Sequence, residues 1–385
     1  MKDEIIFLDN ASTTKINEEV NKLIYETNEN DFYNPSALYH KSVVVKDKIE
    51  TAKKRLADIL HVNSDNLIFT SGATESNNLA IMGSLTGKKD AEYIFSSGEH
   101  PSVYMVAKKL EEKGYKVNFI KLLENGEIDI EHLKSLLNEN THFVSVMYVS
   151  NETGAINDIE KISRVIKEYN KKIILHIDGV QAFGKIPCNL EKFDIDAFTI
   201  SAHKFNGPKG VGALYYKNLN FLKPQMIGGG QQNNLRSGTE NISGILGLVK
   251  ASEIANENLE SNYEKAKLLK QTFIDYLKDN LNGIEYEINS SENASPYIIS
   301  ISFKNLKSEI LMHLLEENGV IIGTGSACSS KKQENRVLSS MGKKPEFVKG
   351  NIRISFSANT TLDEVSKAST ILCDTVKDLK KHMSR

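Results

Sequence analysis

At 385 residues the chain is too long for one compact core, and it calls for two domains or one large α/β domain with an appendage. With 40% hydrophobic and 25% charged residues and a formal net charge of −2, it has the balance of an ordinary folded protein. Nothing in that balance points to a nucleic-acid or membrane-surface partner. The early apolar stretch Ile5 to Leu8 is far too short for a signal-peptide core or a transmembrane span, so the expected location is the cytoplasm.

Along the chain, short apolar runs each lead into a polar turn and then a helical pattern. Leu67-Ile68-Phe69 runs into Ser71-Gly72-Ala73-Thr74, and Tyr93-Ile94-Phe95 into Gly98-Glu99-His100-Pro101. Phe143 to Val149 leads to Ser150-Asn151-Glu152-Thr153-Gly154. Ile173-Ile174-Leu175 leads to His176-Ile177-Asp178-Gly179-Val180-Gln181, and Phe193 to Ile200 leads to Ser201-Ala202-His203-Lys204. Strand, turn and helix in repetition predict an α/β fold with a mostly parallel sheet flanked by helices. Ligands of such sheets bind beyond the carboxyl ends of the strands, where all these turns fall. From about Ser252 the pattern changes. A long charged helix over Glu253 to Leu281 precedes the strand Ile298 to Phe303 and a helix over Leu311 to Asn318. A small-residue loop carrying Cys328, the strand Asn351 to Ser357 and a last helix from Leu362 to Met383 follow. This reads as a smaller α+β unit.

Lys204 and Asp178 each follow an apolar run, and together they match what pyridoxal 5′-phosphate (PLP) requires. An amine holds the aldehyde as a Schiff base, and an acid keeps the pyridine nitrogen protonated. The plain alternative is that Lys204, among Gly and Pro, is a solvated loop residue. Ala73 and Thr74 open a helix whose free N–H groups suit a phosphate, although Thr74 also reads as an ordinary cap. His100 can stack on a ring and move protons, or be structural. Arg353 inside an apolar strand suits a carboxylate, and equally suits a solvent-facing position. Arg236-Ser237-Gly238-Thr239, after Gly228-Gly229-Gly230, offers further phosphate donors.

The three cysteines, Cys188, Cys328 and Cys373, form neither a disulfide framework nor a metal motif. Cys188 and Cys373 read as buried small hydrophobes. Cys328, in Gly323-Thr324-Gly325-Ser326-Ala327-Cys328-Ser329-Ser330, has no packing reason to be there, and its glycines imply a loop that swings between pocket and acceptor.

From Phe7-Leu8-Asp9-Asn10-Ala11-Ser12-Thr13-Thr14 to the Arg353 strand, the order and spacing of these motifs resemble the PLP-dependent cysteine desulfurases of the class V aminotransferase group. The resemblance implies the type I transferase fold and a homodimer. It also implies a large PLP-binding domain over 14–252, and a small domain of 1–13 and 253–385 that carries the Cys328 loop. It casts Lys204 as the Schiff-base lysine, Asp178 as partner of the pyridine nitrogen, Gln181 as donor to the ring hydroxyl and His100 as the stacking histidine. Thr74, Ser201 and His203 become phosphate ligands, joined by Thr239 of the other subunit. Asn34, Asn151 and Arg353 surround the substrate carboxylate, and Cys328 takes up sulfur. The reaction implied is L-cysteine to L-alanine. The persulfide would pass to an acceptor protein, an iron–sulfur scaffold or a tRNA-thiolation enzyme, with no direct nucleic-acid or membrane contact. A selenocysteine lyase or a class V aminotransferase on the same scaffold is the rival reading, and a non-catalytic scaffold is a third. Cys328, for which an aminotransferase has no use, discriminates against the aminotransferase. Gly179 stands where many members carry alanine against the ring, which predicts a less tightly packed face.

Overall fold

Apolar runs short enough for strands, set between glycine-bearing turns, build the sheets, and residues at helical spacing build the layers that cover them. In the computed structural model, which describes residues 5–325 and 335–383, the chain opens with β1 (Ile6–Phe7). β2 (Leu67–Thr70), β3 (Glu92–Ser96), β4 (Lys116–Ile120), β5 (Thr141–Met147), β6 (Ile174–Asp178), β7 (Ala197–Ser201) and β8 (Gly212–Tyr216) follow. Then come β9 (Tyr286–Ile288), β10 (Ile298–Phe303), β11 (Val320–Ile321) and β12 (Asn351–Ser355).

β2 to β8 form one sheet in the order β2-β8-β7-β6-β5-β3-β4. The run β7-β6-β5-β3-β4 is parallel, and β8 is antiparallel to both β7 and β2. Helices on both faces explain why every residue of β2, β7 and β8 is buried and why these strands read as continuous rather than alternating apolar runs. The chain leaves β3 outward to β4, then returns to the other side of β3 as β5 and continues to β6 and β7. Connections after β3 and β5 therefore diverge, which opens a crevice at the carboxyl ends. β4 and β8 are strands that the apolar pattern did not single out.

Two sequence expectations are corrected. Phe193 is not the start of a strand. It closes the short helix Leu190–Phe193, in which Asn189 accepts a hydrogen bond from the Lys192 N–H at 3.2 Å and Leu190 and Phe193, three apart, are both buried. The strand begins only at Ala197, after Asp194 takes a left-handed turn. The single helix expected over Glu253 to Leu281 is two helices, Ile242–Glu257 and Leu259–Asn280. They meet at Asn258, whose side-chain amide donates to the Ile254 carbonyl at 2.8 Å, a local bond that competes with the helix.

The break at Asn258 marks a change of core. Ile245, Leu248 and Val249 of the first helix pack with the large sheet, while Leu269, Phe273 and Leu277 of the second pack with β10, β12 and the helices Ser308–Glu317 and Leu362–Met383. The sheet of this second core runs β12-β10-β9 and is antiparallel. β1 pairs in parallel with β11, and Ile6 and Leu8 are buried in the same core. The segment after β1 thus passes between the two cores, which puts Asp9 and Ala11 at the crevice. Among the described residues, no helix is long and apolar enough to cross a membrane.

Candidate active site

A cavity of about 640 Å³ occupies the crevice and is lined by Lys204, Asp178, Gln181, His100, Asn151 and Arg353, among others. Lys204 sits just past β7 in a single turn of 3₁₀ helix, Ala202–Lys204. Its amine donates to the carbonyls of Ala11 (2.7 Å) and Ser12 (2.6 Å). Burial, and then the charge of Arg353, lower its pKa to about 8, against the opposing pull of Asp9 and Asp178.

Asp178 ends β6, buried, and accepts from the Val180 N–H (3.1 Å) and from the Asn77 side-chain amide (2.9 Å). The same Asn77 amide nitrogen donates to the Ser102 hydroxyl at 2.9 Å, and that hydroxyl lies 2.8 Å from Nδ1 of His100. His100 is also the N-cap of the helix Pro101–Glu112, because Nδ1 accepts from the Ser102 N–H at 3.1 Å. With Nδ1 an acceptor, neutral His100 carries its proton on Nε2. Burial, against the pull of Asp178, lowers the His100 pKa, with Lys204, Arg353 and Arg336 adding to the depression, which favours the neutral ring.

The helix Ala73–Gly83 begins at this cavity. Gly72 precedes it with φ of 148°, a conformation that side chains avoid, and among the described residues no side chain caps the start. Thr74 is thus not the cap, and the first-turn N–H groups face a site also lined by Ser201 and His203. Burial and nearby lysines lower the His203 pKa to about 4. Arg236 does not line the cavity. Its guanidinium pairs with Glu75 of the same helix (2.8 Å), and Glu75 in turn accepts from the Ser71 N–H at 2.7 Å.

Arg353 is 7% exposed, which settles its two readings against the solvent-facing one. It donates to the Asn151 carbonyl and to Asp9, each at 2.8 Å, and its Nε has no partner among the described residues. Glu99 and Glu152, both buried nearby, have carboxyl pKa values pushed up, mainly by burial. Gly323 and Gly325 have packing reasons of their own. A Cβ at 323 would lie 2.6 Å from Asp9 and 3.0 Å from Arg353, and one at 325 would lie 2.6 Å from Glu152. Close approach, rather than freedom to swing, explains these two glycines.

Gly179 does not line the cavity. A Cβ there would lie 2.0 Å from the ring of Phe198, so the space of an alanine methyl is filled by Phe198 and the face is not loosely packed. Thr239 and Asn34 also fall outside the lining of this cavity within one chain, and Cys328 lies outside the described residues. Sequence reasoning assigned no role to Asn77, Ser102 or Asp9. The bonds Asn77–Asp178, Asn77–Ser102 and Asp9–Arg353 join residues distant in the chain, and only the placement of Asn77 one turn into a helix that starts at the cavity was a usable signal.

The donor set fits PLP: N–H groups at a glycine-led helix start for a phosphate, an amine for an aldehyde, and a buried carboxyl group for a ring nitrogen. Residues 6–367 match the model of the aminotransferase class-V family. The chain is 36% identical over 383 residues to a cysteine desulfurase IscS of Dictyoglomus turgidum, covering 99% of this chain and 96% of that protein. It is 34% identical over 381 residues to a putative cysteine desulfurase IscS of Bacillus subtilis, covering 98% of this chain and all of that one. The solved structure of a NifS-like protein superimposes with a TM-score of 0.91 at 32% identity, covering 97% of this chain and 99% of that one. The chain therefore belongs to the class-V aminotransferase family of PLP enzymes, and within it to the cysteine desulfurases.

Proposed function

We propose that the chain takes sulfur from L-cysteine, leaves L-alanine, and passes the sulfur as a persulfide on Cys328 to an acceptor protein of iron–sulfur cluster assembly or tRNA thiolation. The observation that carries this reading is the convergence of Lys204, Asp178, His100 and Arg353 on one cavity that Gly325, three residues before Cys328, also lines. Relatives of nearly the same length bear the desulfurase name, which supports it.

Bound PLP would supply a ring that takes up the electrons left at the substrate Cα. Asp178 would partner the ring nitrogen, Gln181 would donate to the ring hydroxyl, and His100 would stack on the ring. Ala73, Thr74, Ser201 and His203 would hold the phosphate, and Arg353 with Asn151 and Asn34 would hold the substrate carboxylate. Lys204 accepts the Cα proton at Nζ, where a pKa of about 8 leaves part of the amine neutral near pH 7. His100 holds its proton at Nε2 and exchanges it with the reacting groups. The Cys328 thiolate attacks the substrate sulfur, so that an S–S bond forms as the C–S bond breaks and carbon keeps the electron pair.

A second copy of the chain would bring Thr239 to the phosphate. The large exposed side chains Phe32 and Leu38 flank Asn34 in the sequence, and exposed Ile227 lies on the stretch leading to Thr239, which supports such a dimer. The expected boundary at 252 falls inside the helix Ile242–Glu257, whose Ile254 and Ala255 pack with the large core, so we divide the chain at Asn258, into a PLP-binding domain over 14–257 and a smaller domain of 1–13 and 258–385.

The Cys328→Ser variant tests the mechanism. It is expected to keep the spectral change on adding cysteine while alanine release falls by more than about 100-fold, since serine is a far poorer nucleophile at neutral pH. Mass spectrometry of the parent after cysteine treatment should find extra sulfur on the peptide with Cys328, not on those with Cys188 or Cys373. Undiminished alanine release by the serine variant would sink the desulfurase reading.

A further inference from the structure

Lys185 is buried, 5% exposed, and no acidic side chain pairs with it among the described residues. Burying an ammonium without a counter-charge is costly, so such a residue needs a reason beyond packing. Its amine donates to Oε1 of Gln181 at 3.0 Å, one helical turn back along the segment that follows Asp178. The Tyr297 ring lies 5.9 Å away, at the far limit of a cation–π contact. Burial, and then the charges of Lys204 and Arg353, lower the Lys185 pKa to about 7.

In its charged form, which prevails below about pH 7, Lys185 can only donate, so the group it contacts must be an acceptor. Gln181 therefore has to turn its carbonyl oxygen to Lys185. Its NH₂ then faces the other way, where one proton goes to the Ala11 carbonyl at 2.8 Å and the other is free for the cavity. The Ala11 carbonyl also accepts from Lys204 at 2.7 Å, so the amide and the reactive amine share one anchor. A side-chain amide is close to symmetric in shape, and packing alone does not choose between its two faces.

We propose that Lys185 is a positioning residue that fixes which face of the Gln181 amide is presented to the cavity, and so makes position 181 a donor toward the ring oxygen of PLP. This rests on the cofactor reading above. The Ala11 carbonyl favours the same face, and loss of Lys185 leaves it the one remaining hold on the amide among the described residues, so that Gln181 presents its oxygen to the cavity more often and repels the ring oxygen when it does. Lys185 also adds positive charge near Lys204, an effect that does not pass through Gln181, and the test has to separate the two.

The test is a double-mutant cycle on PLP-loaded protein, with Lys185→Met, Gln181→Ala and the double variant, read by the absorption maximum and by the dissociation constant for PLP. Gln181→Ala and Lys185→Met are each expected to move the spectrum in the same direction and to weaken PLP binding by about 5–10-fold, the loss of one ordinary hydrogen bond. In the Gln181→Ala background, Lys185→Met should add only the effect of its charge on Lys204, well short of the shift it causes in the parent. An equal, additive shift in that background would mean that Lys185 acts on Lys204 or on packing, and would overturn the proposal, as would an unchanged spectrum in Lys185→Met alone. Gln181→Glu and Gln181→Met leave Lys185 in place and carry the test if Lys185→Met does not fold. A carboxylate at 181 should melt higher than methionine by pairing with Lys185, and an equal or lower melting temperature would refute the contact. Failure of the parent protein to take up PLP would overturn the cofactor reading instead, while the melting comparison would still judge the contact.

Discussion

The two walls of the cavity are built on different terms. On one wall, Asp178, Asn77, Ser102 and His100 form a continuous chain of hydrogen bonds between 2.8 and 2.9 Å that joins the end of β6 to the turn after β3. On the other, Arg353 pairs with Asp9 but keeps its Nε unpartnered, and buried Glu152 leaves one carboxyl oxygen without a partner among the described residues. The first wall has its geometry set in advance, as suits a group that stays through every turnover. The second retains donor capacity, as suits a substrate that comes and goes. Each wall leaves a buried atom unpartnered among the described residues, an acceptor (Asn77 Oδ1) on the first and a donor (Arg353 Nε) on the second, so the contrast lies in which kind of atom stays free, not in exposure.

Breaking the first wall should do most damage. Asp178→Asn is expected to retain PLP but to lower kcat/KM by about 2–3 kcal/mol, roughly 30- to 150-fold, because a neutral amide no longer gives a charge-assisted bond and must reorient toward Asn77. Steady-state alanine release checks this, and parent-like turnover would make Asp178 structural. The second wall should respond differently. Arg353→Lys keeps the charge but loses the planar fork that reaches Asp9 and the Asn151 carbonyl together, so KM for cysteine should rise about 10- to 100-fold with kcat changed less. A fall confined to kcat would place Arg353 in the chemistry rather than in binding.

Gly179→Ala probes what lies behind the first wall. A methyl group driven into the Phe198 ring should destabilise the fold by about 1–3 kcal/mol in chemical denaturation, and Phe198→Leu in the same chain should recover part of that loss. A Gly179→Ala variant as stable as the parent would show that the ring can move aside at no cost. The smallest effect expected is that of pH. With the Lys204 pKa lowered to about 8, the amine is mostly protonated at pH 7 and mostly neutral at pH 9, so its reactive fraction rises about tenfold across that window. The rate at which apoprotein turns yellow on mixing with PLP should rise accordingly, and a flat profile would remove Lys204 as the group that titrates.

Much of the first wall was legible in the sequence, because Lys204 and Asp178 stand just beyond or at the end of apolar runs and the carboxyl ends of parallel strands converge by topology. Asn77 was not. It binds Asp178 across 101 residues of sequence, and nothing in a helical asparagine announces such a partner. Asp9 and Arg353, 344 residues apart, are likewise joined only because β1 pairs with β11 and carries the following segment to the second core. Phe193 and the helix expected from Glu253 were misread where apolar spacing fits more than one element, and Gly179 was misread because its counterpart, Phe198, lies on the neighbouring strand.

By itself the sequence determined what depends on local order: the alternation of strand and helix, the glycine-led helix start at Ala73, the placing of Lys204 and Asp178 at one end of a sheet, and membership of the desulfurase group. Tertiary structure alone decided which polar atoms are satisfied. It turned Arg353 inward, bound Arg236 to Glu75, seated Gly323 against the Asp9–Arg353 pair and put the buried amine of Lys185 behind Gln181. The reason is physical. Backbone periodicity is set by residues a few positions apart, whereas the cost of a buried charge or an unpaired donor is set by whatever the fold brings within about 3 Å of it.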